Sequence, residues 1–315
     1  MAEEPQVIFV IRLIVEIIWT ILRLIFEILR AVYNFFLPRE PKDISEDIVL
    51  ITGAGHGMGR EIALRLGNLG AKIVCVDVNP TGNEETVKMI KDQKGSAYKY
   101  QCDVTNRAAV FELASKVQKE VGDVTILVNN AGIMPCRPLL KQSEKEIRTM
   151  MDINVNGVLW CIQAFLPTMI ERNQGHIVSM ASMAGLMGLR NIVPYCGSKY
   201  AVRGIMEALK VELHEDRSRD TNGIKLTTIC PTMVNTGLCH RPNIKFPTLM
   251  RMVEPEEAAD QIVDAIRREY LEITVPSYLY YCIKLYRMLP FNVALVANDF
   301  VATGLDPDGI DTVVP

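Results

Sequence analysis

A glycine-rich segment in the first quarter of the chain has residue types and spacing that suit phosphate binding. Residues 52–59 read TGAGHGMG, between an apolar segment typical of a strand and one typical of a helix. Glycines let the backbone turn sharply and approach a pyrophosphate, whose charge is favoured by N–H groups at a helix N-terminus. A plain tight turn would use the same glycines. Because this turn opens an alternating pattern of strands and helices, we favour a dinucleotide site.

An acidic residue at the end of the second predicted strand indicates which dinucleotide is bound. Asp77 lies eighteen residues after Gly59. A carboxylate at this place accepts hydrogen bonds from the adenosine ribose hydroxyls and repels a 2′-phosphate. We therefore expect NAD as the cofactor, with NADP less favoured. The alternative is that Asp77, in the sequence DVNP, is the N-cap of the following helix.

Three further motifs lie beyond the third, fourth and fifth predicted strands. Residues 102–104 read CDV and residues 129–132 read NNAG. Ser182 lies thirteen residues before Tyr195, and the sequence YCGSK places Tyr195 and Lys199 four residues apart on one face of a helix. A tyrosine and a lysine at this spacing would, by themselves, indicate nothing more than a surface pair.

Taken together and in this order, the motifs resemble the extended signature of the short-chain dehydrogenase/reductases. The resemblance rests on T-G-x-x-x-G-x-G, N-N-A-G, the serine and Y-x-x-x-K, and it covers about residues 45 to 275. It implies a nicotinamide-dependent oxidoreductase that acts on CH–OH groups. The residues that it implies for cofactor binding are Thr52, Gly53, Gly57, Met58, Gly59, Asp77, Asp103, Val104, Asn130, Ala131, Gly132, Tyr195, Lys199, Val234 and Thr236.

The resemblance also implies roles for four catalytic residues in the oxidation of an alcohol. Tyr195 would remove the hydroxyl proton while a hydride leaves the carbinol carbon for the nicotinamide. A free phenol has a pKa of about 10, so Lys199 and the positive nicotinamide ring would have to favour the phenolate. Ser182 would hydrogen-bond the substrate oxygen. Asn154, in MDINVNG, would hold a water that links Lys199 to solvent, and Lys199 would also bind the ribose.

One motif departs from the general family pattern. Pro-Gly usually follows the sixth strand, whereas residues 230–237 read CPTMVNTG. A threonine at position 232 has less backbone freedom than a glycine, so we expect an altered loop beside the nicotinamide. The form CPxxVNTG, together with an apolar N-terminal segment, resembles a membrane-associated subgroup. That subgroup contains the epidermal retinol dehydrogenases and the lipid-droplet 17-beta-hydroxysteroid dehydrogenases.

The resemblance to this subgroup implies that the substrate is a lipophilic alcohol, retinol-like or 17-beta-hydroxysteroid-like. Two alternatives stay open. The same groups would permit an NADPH-dependent reductase of lipophilic ketones or aldehydes, because the direction of reaction follows the cofactor pool. A non-catalytic lipid-droplet scaffold is the second, although the presence of Tyr195, Lys199 and Ser182 disfavours that hypothesis.

The elements that would position these residues alternate between short apolar strands and amphipathic helices. Strands are predicted at residues 48–52, 72–77, 98–102, 124–129, 176–180, 225–230 and 273–275. Continuous apolar strands between helices indicate a parallel sheet that is covered on both faces. We therefore predict an α/β fold, with a doubly wound, seven-stranded, Rossmann-like parallel sheet over residues 47–276.

The first 37 residues predict a membrane-anchoring helix. The charged residues of segment 7–37 fall within a narrow stripe, and Arg12 with Glu16 and Arg23 with Glu27 form i,i+4 pairs. Charges at this spacing are costly at the bilayer centre but tolerated at its surface, so we favour an interfacial or hairpin-like anchor over a spanning one. The alternative is a buried helix packed on the catalytic domain. Residues 38–46 are polar and predict a linker.

The C-terminal residues 277–315 form an apolar tail. Its tyrosines, close together in the sequence, are typical of a membrane–water boundary; they are Tyr278, Tyr280, Tyr281 and Tyr286. A C-terminal helix that completes the core, or a contact in a dimer, would explain the same residues. The tail is therefore predicted to face either the membrane or the protein.

Apolar residues near the catalytic motifs are candidates for the substrate site. Residues 237–255 are too long for a simple connection and occupy the place of the family's substrate lid. Adaptable apolar walls would come from Met180, Met183, Leu186, Met187 and Leu189. A set of methionines is equally compatible with plain core.

The composition excludes some partners and favours one cellular compartment. The net charge is −3 with no basic cluster, so we expect no nucleic-acid partner. Eight cysteines without C-x-x-C spacing indicate reduced thiols, and the histidines have no metal-ligand spacing. The resemblance to the membrane-associated subgroup implies a homodimer on the endoplasmic reticulum membrane or lipid droplets, with the catalytic domain facing the cytosol and a lipophilic small molecule as substrate.

Overall fold

The computed structural model describes residues 6–239, 241–247, 251–301 and 304–307. The chain divides into two units, Met1–Lys42 and Asp43–Pro315, and the division falls inside the segment predicted as a linker. Parts of the predicted lid, at His240 and residues 248–250, lie outside the described residues, as do residues 302–303 and 308–315 of the tail. Every residue with a predicted role in chemistry belongs to the second unit.

A long helix makes up most of the first unit. Helix α1 (Gln6–Phe36) has 31 residues, and none of them is buried. Arg12 lies 3.2 Å from Glu16, as predicted. Glu27 pairs with Arg30 at 3.6 Å, where we expected Arg23. Arg23 lies four residues before Glu27 and Arg30 lies three residues after it, and both positions are adjacent to Glu27 on a helix surface. The spacing alone therefore did not decide which arginine pairs with Glu27.

By length and composition, one helical segment among the described residues could cross a membrane. This segment is Glu144–Glu171, which contains an eighteen-residue stretch with a mean hydropathy of 1.4. Its buried side chains, such as Ile162 and Phe165, belong to the core of the second unit, which explains its apolar composition. A segment counts as able to cross only if it contains an apolar stretch of eighteen residues with at most two charged side chains. Helix α1 fails this test, because any eighteen consecutive residues of it include at least three.

Seven parallel strands form one sheet in the second unit. The strands of the chain are β1 (Ile48–Thr52), β2 (Lys72–Asp77), β3 (Ser96–Gln101), β4 (Ile126–Asn129), β5 (Gly175–Met180), β6 (Ile224–Pro231), β7 (Pro242–Asn243), β8 (Glu272–Val275) and β9 (Gly304–Leu305). The order across the main sheet is β3-β2-β1-β4-β5-β6-β8, while β7 and β9 pair separately. The predicted seven-stranded parallel sheet is confirmed, with every strand boundary within two residues.

Helices cover both faces of this sheet. They are α2 (Gly57–Asn68), α3 (Pro80–Asp92), α4 (Arg107–Glu120), α5 (Glu144–Met151), α6 (Gly157–Glu171), α7 (Val193–Glu215), α8 (Pro255–Arg267), α9 (Leu279–Met288) and α10 (Phe291–Val301). Along β1, Val49 and Ile51 pack in a layer with α2, α3 and α8, whereas Ile48 and Leu50 pack in a layer with α4, α6 and α7. Both faces of β1 are buried, so its apolar residues run continuously instead of alternating.

The direction in which the sheet grows reverses between β1 and β4. Strands β2 and β3 extend it on one side of β1, and β4, β5, β6 and β8 extend it on the other. In open parallel sheets the ligand crevice lies outside the carboxyl ends of the strands at such a reversal. The residues that directly follow β1 and β4 are therefore the expected position of a ligand site.

The C-terminal segment packs on the core of the second unit, to which it belongs. Helix α9 buries Leu279 and Ile283, and α10 buries Ala294. Strand β9 then pairs antiparallel with β7, inside the segment predicted as a lid. One side of the tail therefore completes the core, as one of the sequence alternatives proposed, while the other side stays exposed and apolar.

Candidate active site

Helix α7 places a tyrosine and a lysine inside the protein. It begins after Asn191 and Ile192, with a proline in its first turn, where the fixed φ of proline suits a helix start. Tyr195 is 6% exposed and Lys199 is 5% exposed. The Lys199 Nζ donates to the Met180 carbonyl at 2.7 Å and lies 5.6 Å from the centroid of the Tyr195 ring. The two residues are therefore a buried pair and not a surface pair.

A serine from the end of β5 joins this pair. The Ser182 Oγ accepts a hydrogen bond from the Ala184 N–H at 3.1 Å, which holds the turn after the strand. Ser182 also interacts with the Tyr195 hydroxyl. The hydroxyls of Ser182 and Tyr195 thus come together although their residues lie on different elements.

Asn154 ties the loop after β4 to helix α7. It lies in a π-helical turn, Asp152–Asn156, between α5 and α6, and it is completely buried. Its Oδ1 accepts from the Ile133 N–H at 2.9 Å, and its Nδ2 donates to the Ile133 carbonyl and the Ser198 hydroxyl. The Ser198 hydroxyl in turn donates to the Tyr195 carbonyl at 2.8 Å. Gly132 lies beside Asn154, and a Cβ there would be 3.6 Å from the Lys199 Nζ.

Burial controls the acid–base properties of this group. It raises the pKa of the Tyr195 phenol well above its ordinary value, and the interaction with Ser182 only opposes this rise. It lowers the pKa of Lys199 to about 8, because a buried ammonium loses its hydration. The protein alone therefore keeps Tyr195 protonated near neutral pH. The sequence analysis expected the phenolate only with the positive nicotinamide ring beside Lys199, and that expectation stays a prediction.

The glycine-rich turn after β1 forms a backbone cradle. Gly53 and Gly57 have φ values of +68° and +57°, which L side chains rarely adopt. A Cβ at Gly59 would collide with the Gly53 carbonyl oxygen. Within this described stretch, the N-cap residue His56 makes no side-chain cap hydrogen bond and the first turn of α2 has no acidic residue. The cradle and the uncapped helix start fit a pyrophosphate.

Thr52 and Asn130 hold the ends of β1 and β4 together. The Thr52 Oγ1 accepts from the N–H groups of Asn130 and Ala131 at 3.0 and 3.1 Å. The Asn130 Nδ2 donates to the carbonyls of Thr52 and Gly53 at 3.0 and 3.2 Å. These predicted cofactor residues therefore shape the crevice by binding one another.

Asp77 closes the other side of the glycine turn. Its carboxylate accepts from the Gly55 N–H and the Asn79 N–H, both at 2.8 Å. The cap of α3 is Asn79, which accepts from the N–H groups of Thr81 and Gly82. The alternative that Asp77 caps this helix is therefore wrong. Asp77 lies at the carboxyl end of β2, beside the cradle.

Two more predicted cofactor residues lie at the carboxyl end of β3. Asp103 is exposed, and its Oδ1 accepts from the Thr105 N–H at 2.9 Å. Val104 is buried, and a Cβ at Gly157 would meet its side chain at 2.8 Å. Both residues lie at the same edge of the sheet as the glycine turn.

Thr232, the threonine that departs from the family pattern, is held by ordinary hydrogen bonds to the neighbouring strand β8. The N–H and the hydroxyl of Thr232 both donate to the Val275 carbonyl, at 2.8 and 3.1 Å, and its φ is not in the left-handed region. Val234 is buried and bridges to Val253. Thr236 lies across the glycine turn, since a Cβ at Gly57 would meet its Cβ at 3.1 Å. The loop thus brings Thr236 to the cradle.

Ser182 and Tyr195 open into a cavity of about 890 Å³. Of the apolar residues predicted as walls, Met183, Met187 and Leu189 line it, whereas Met180 and Leu186 belong to the core layers. The sequence analysis missed a set of wall residues that come from the C-terminal segment: Leu279, Tyr286, Phe291, Leu295 and Leu305. Their apolar character was the available signal, but it was equally compatible with core or membrane contact.

Comparison with known proteins decides the family. The model of the short chain dehydrogenase family matches residues 47–244. This chain belongs to the short-chain dehydrogenase family. Human epidermal retinol dehydrogenase 2 is 38% identical over 274 residues, which are 87% of this chain and 88% of that protein. Human 17-beta-hydroxysteroid dehydrogenase 13 is 36% identical over 286 residues, 91% of this chain and 93% of that protein.

A solved structure supports the same fold. A short chain dehydrogenase/reductase from Burkholderia phymatum, in complex with NAD, superposes with a TM-score of 0.70 at 24% identity. The match covers 87% of this chain and all of that chain. The family model and the two human relatives confirm the predictions of the family and of a nicotinamide-dependent enzyme acting on CH–OH groups.

The pKa of Lys199 in this dehydrogenase predicts a pH-dependent stability. Below pH 8 the lysine is charged in the folded and unfolded states, so the full penalty of burying the charge is present. Above pH 8 the folded state loses this proton while the unfolded state, with a pKa near 10.5, keeps it, so stability rises with pH. Between pH 7 and 9 the wild type should gain about 1 kcal/mol relative to Lys199→Met.

Denaturant titration of both proteins at the two pH values measures this difference. Ionisation of Tyr195 and the buried thiols is common to both proteins and cancels. Parallel pH dependence of the two free energies of unfolding would show that Lys199 keeps its proton in the folded protein up to pH 9, and hence that burial does not lower its pKa.

Proposed function

We propose that this protein is a membrane-associated, NAD-dependent dehydrogenase that oxidises a lipophilic alcohol, retinol-like or 17-beta-hydroxysteroid-like. One observation carries the proposal: Ser182 and Tyr195 lie together on the wall of a cavity whose other walls are mainly apolar. Its volume of about 890 Å³ lies in the range of small-molecule sites, roughly 300–1,000 Å³. The names of the two human relatives, a retinol dehydrogenase and a hydroxysteroid dehydrogenase, support the same class of substrate.

Residues of this chain would bind the alcohol and remove its hydroxyl proton. Ser182 donates a hydrogen bond to the substrate oxygen and holds it beside the Tyr195 hydroxyl. The Lys199 ammonium, with the positive charge that a bound cofactor would supply, favours the phenolate of Tyr195, which takes the hydroxyl proton and becomes the neutral phenol. Asn154, through Ser198, keeps α7 at a fixed distance from the loop after β4.

The cradle and the edge of the sheet would hold the dinucleotide. The N–H groups at the start of α2 meet the pyrophosphate, Asp77 accepts from the adenosine ribose, and Lys199 binds the nicotinamide ribose. Thr236 and Val234 close the crevice from the loop after β6. A bound nicotinamide would supply the acceptor for the hydride of the carbinol carbon and, before the transfer, a positive charge beside Tyr195.

The first unit would attach the enzyme to a membrane. The side chains of α1 are apolar apart from Gln6, Thr20, Asn34 and a narrow charged stripe, in which Arg12 and Glu16 pair. A helix of this type is stable at the boundary between headgroups and acyl chains. We place the protein on the endoplasmic reticulum or lipid droplets as a homodimer, with the catalytic unit in the cytosol. The eight cysteines, all among the described residues, form no disulfide, which supports that orientation.

Tyr195→Phe tests the reaction. The change preserves ring packing and removes only the proton acceptor, so turnover of the preferred alcohol should fall at least about a hundredfold while NAD affinity and the melting temperature stay unchanged. Tyr200→Phe makes the same change on the same helix, at a ring that does not line this cavity, and should keep wild-type turnover. Near wild-type turnover by Tyr195→Phe would exclude this mechanism.

Asp77→Ser tests the choice of cofactor. The carboxylate should repel a 2′-phosphate, so the wild-type kcat/KM with NAD should exceed that with NADP by more than about tenfold, the equivalent of 1.4 kcal/mol. The substitution should lower the ratio of kcat/KM with NAD to kcat/KM with NADP. Asp77→Asn, which also removes the charge but keeps an acceptor for a backbone N–H, should lower it too. Equal wild-type turnover with both cofactors contradicts the proposal and favours the reductase alternative.

Removal of residues 1–37 tests the anchor. The second unit contains all the strands of the sheet, so the shortened chain should fold and keep NAD binding but leave the membrane fraction. Fractionation of tagged full-length and shortened chains measures this, with alkaline extraction to remove loosely bound protein. A shortened chain that still sediments with membranes would place the anchor in the exposed side of α9 and α10.

A further inference from the structure

The three residues 304–306, here called the C-terminal strap, lie between the lid segment and the active-site helix. On the lid side, Leu305 pairs with Pro242 and Gly304 with Asn243 in the antiparallel β7–β9 sheet. The Asp306 N–H donates to the Arg241 carbonyl at 2.9 Å. The strap therefore forms backbone hydrogen bonds with the lid segment, some of whose residues line the cavity.

On its other side the strap is bound to Asn191, which lies two residues before the start of the active-site helix. The Asn191 Nδ2 donates to the Leu305 carbonyl at 2.7 Å. Asn191 has a φ of +67°, a left-handed conformation that asparagine tolerates better than most residues. The Cys136 Sγ donates to the Asp306 carbonyl at 3.4 Å, and Arg190 pairs with the Asp306 carboxylate. Contacts from three segments thus fix the strap beside Tyr195.

The side chain of Leu305 is buried at this point. It is 3% exposed and belongs to one apolar cluster with Tyr195, Ile192 and Met134. Leu305 and Gly304 also line the cavity into which Ser182 and Tyr195 open. A buried leucine held by backbone hydrogen bonds on both flanks is a rigid boundary, because it cannot move without breaking those bonds.

We propose that the C-terminal strap is a wall of the substrate site and that Leu305 determines the length of lipophilic alcohol that the site accepts. The inference rests on the proposed function, since it assigns the cavity to the alcohol. The strap lies far from Tyr195 in the sequence, and its own backbone groups serve β7 and Asn191, so its contribution to the site is steric. A substrate chain that reaches Leu305 must stop there.

The test compares full-length wild type and Leu305→Ala in detergent, with NAD and straight-chain alcohols from hexanol to hexadecanol. The substitution removes three carbon atoms from the boundary. A methylene in an apolar pocket changes kcat/KM by roughly 10-fold to 200-fold, so the ratio of kcat/KM for long over short alcohols should rise at least about tenfold. The gain should appear mainly as a lower KM for the long alcohols.

Leu285→Ala is the matched control. This leucine of α9 is 64% exposed and does not line the cavity, so the same chemical change there should leave the length preference unaltered. A Leu305→Ala protein that is folded by its melting curve but lowers kcat/KM equally for all alcohols would overturn the proposal, because it would show a purely structural role.

A second variant keeps the proposal testable if Leu305→Ala does not fold. A Cβ at Gly304 would meet only the Arg190 Nε, at 3.8 Å, so the backbone has room for a side chain. Gly304→Val should narrow the cavity and lower the long-to-short ratio at least about tenfold. An unchanged ratio would overturn the proposal.

A binding measurement separates this proposal from the proposed function. The same alcohols can be measured by displacement of an apolar fluorescent dye from the wild type and from Leu305→Ala. If the wild type oxidises none of them, the proposed function fails, yet a shift of affinity towards longer alcohols in Leu305→Ala still supports the strap as the boundary. Identical affinities in the two proteins would overturn it, whatever the turnover.

Discussion

The side-chain hydrogen bonds between the ends of β1 and β4 are the constraint on which the rest of the site depends. At this reversal of the sheet the strands stop pairing, and their terminal backbone groups would be left without partners. The Thr52 hydroxyl and the Asn130 amide satisfy them. These bonds fix the position of the Gly53 carbonyl, against which α2 can pack only because residue 59 is a glycine. The shape of the cradle follows from that close approach.

Burial of polar side chains with specific hydrogen-bond partners also governs the proton chemistry. Lys199 is held by the Met180 carbonyl at the end of β5, and Asn154 is held by both backbone groups of Ile133. Because the lysine is buried its charge is costly, and because Tyr195 is buried its phenolate is costly as well. The folded protein thus prepares a site in which a bound positive charge has a large effect on Tyr195, since little water remains to screen it.

The substrate cavity depends on segments that are far apart in the sequence. One wall follows β5, another comes from the lid segment, and the third comes from α9, α10 and β9. The C-terminal segment is apolar on two sides for two different reasons. One side packs on the second unit and lines the cavity, and the opposite side is exposed. A sequence with both sides apolar therefore resembles a buried or membrane segment even though only part of it is buried.

By itself the sequence determined the strands, the glycine turn, and the spacing of Ser182, Tyr195 and Lys199, because turns, strand ends and helical faces depend on residues close together in the chain. It did not decide which residue caps α3, since Asp77 and Asn79 have the same capping chemistry and only the fold gives Asp77 the Gly55 amide. It also did not reveal that Leu305 lies in the same cluster as Tyr195. Apolar side chains are interchangeable in local patterns, and their place in core, cavity or surface is decided by non-local packing, which only the tertiary structure contains.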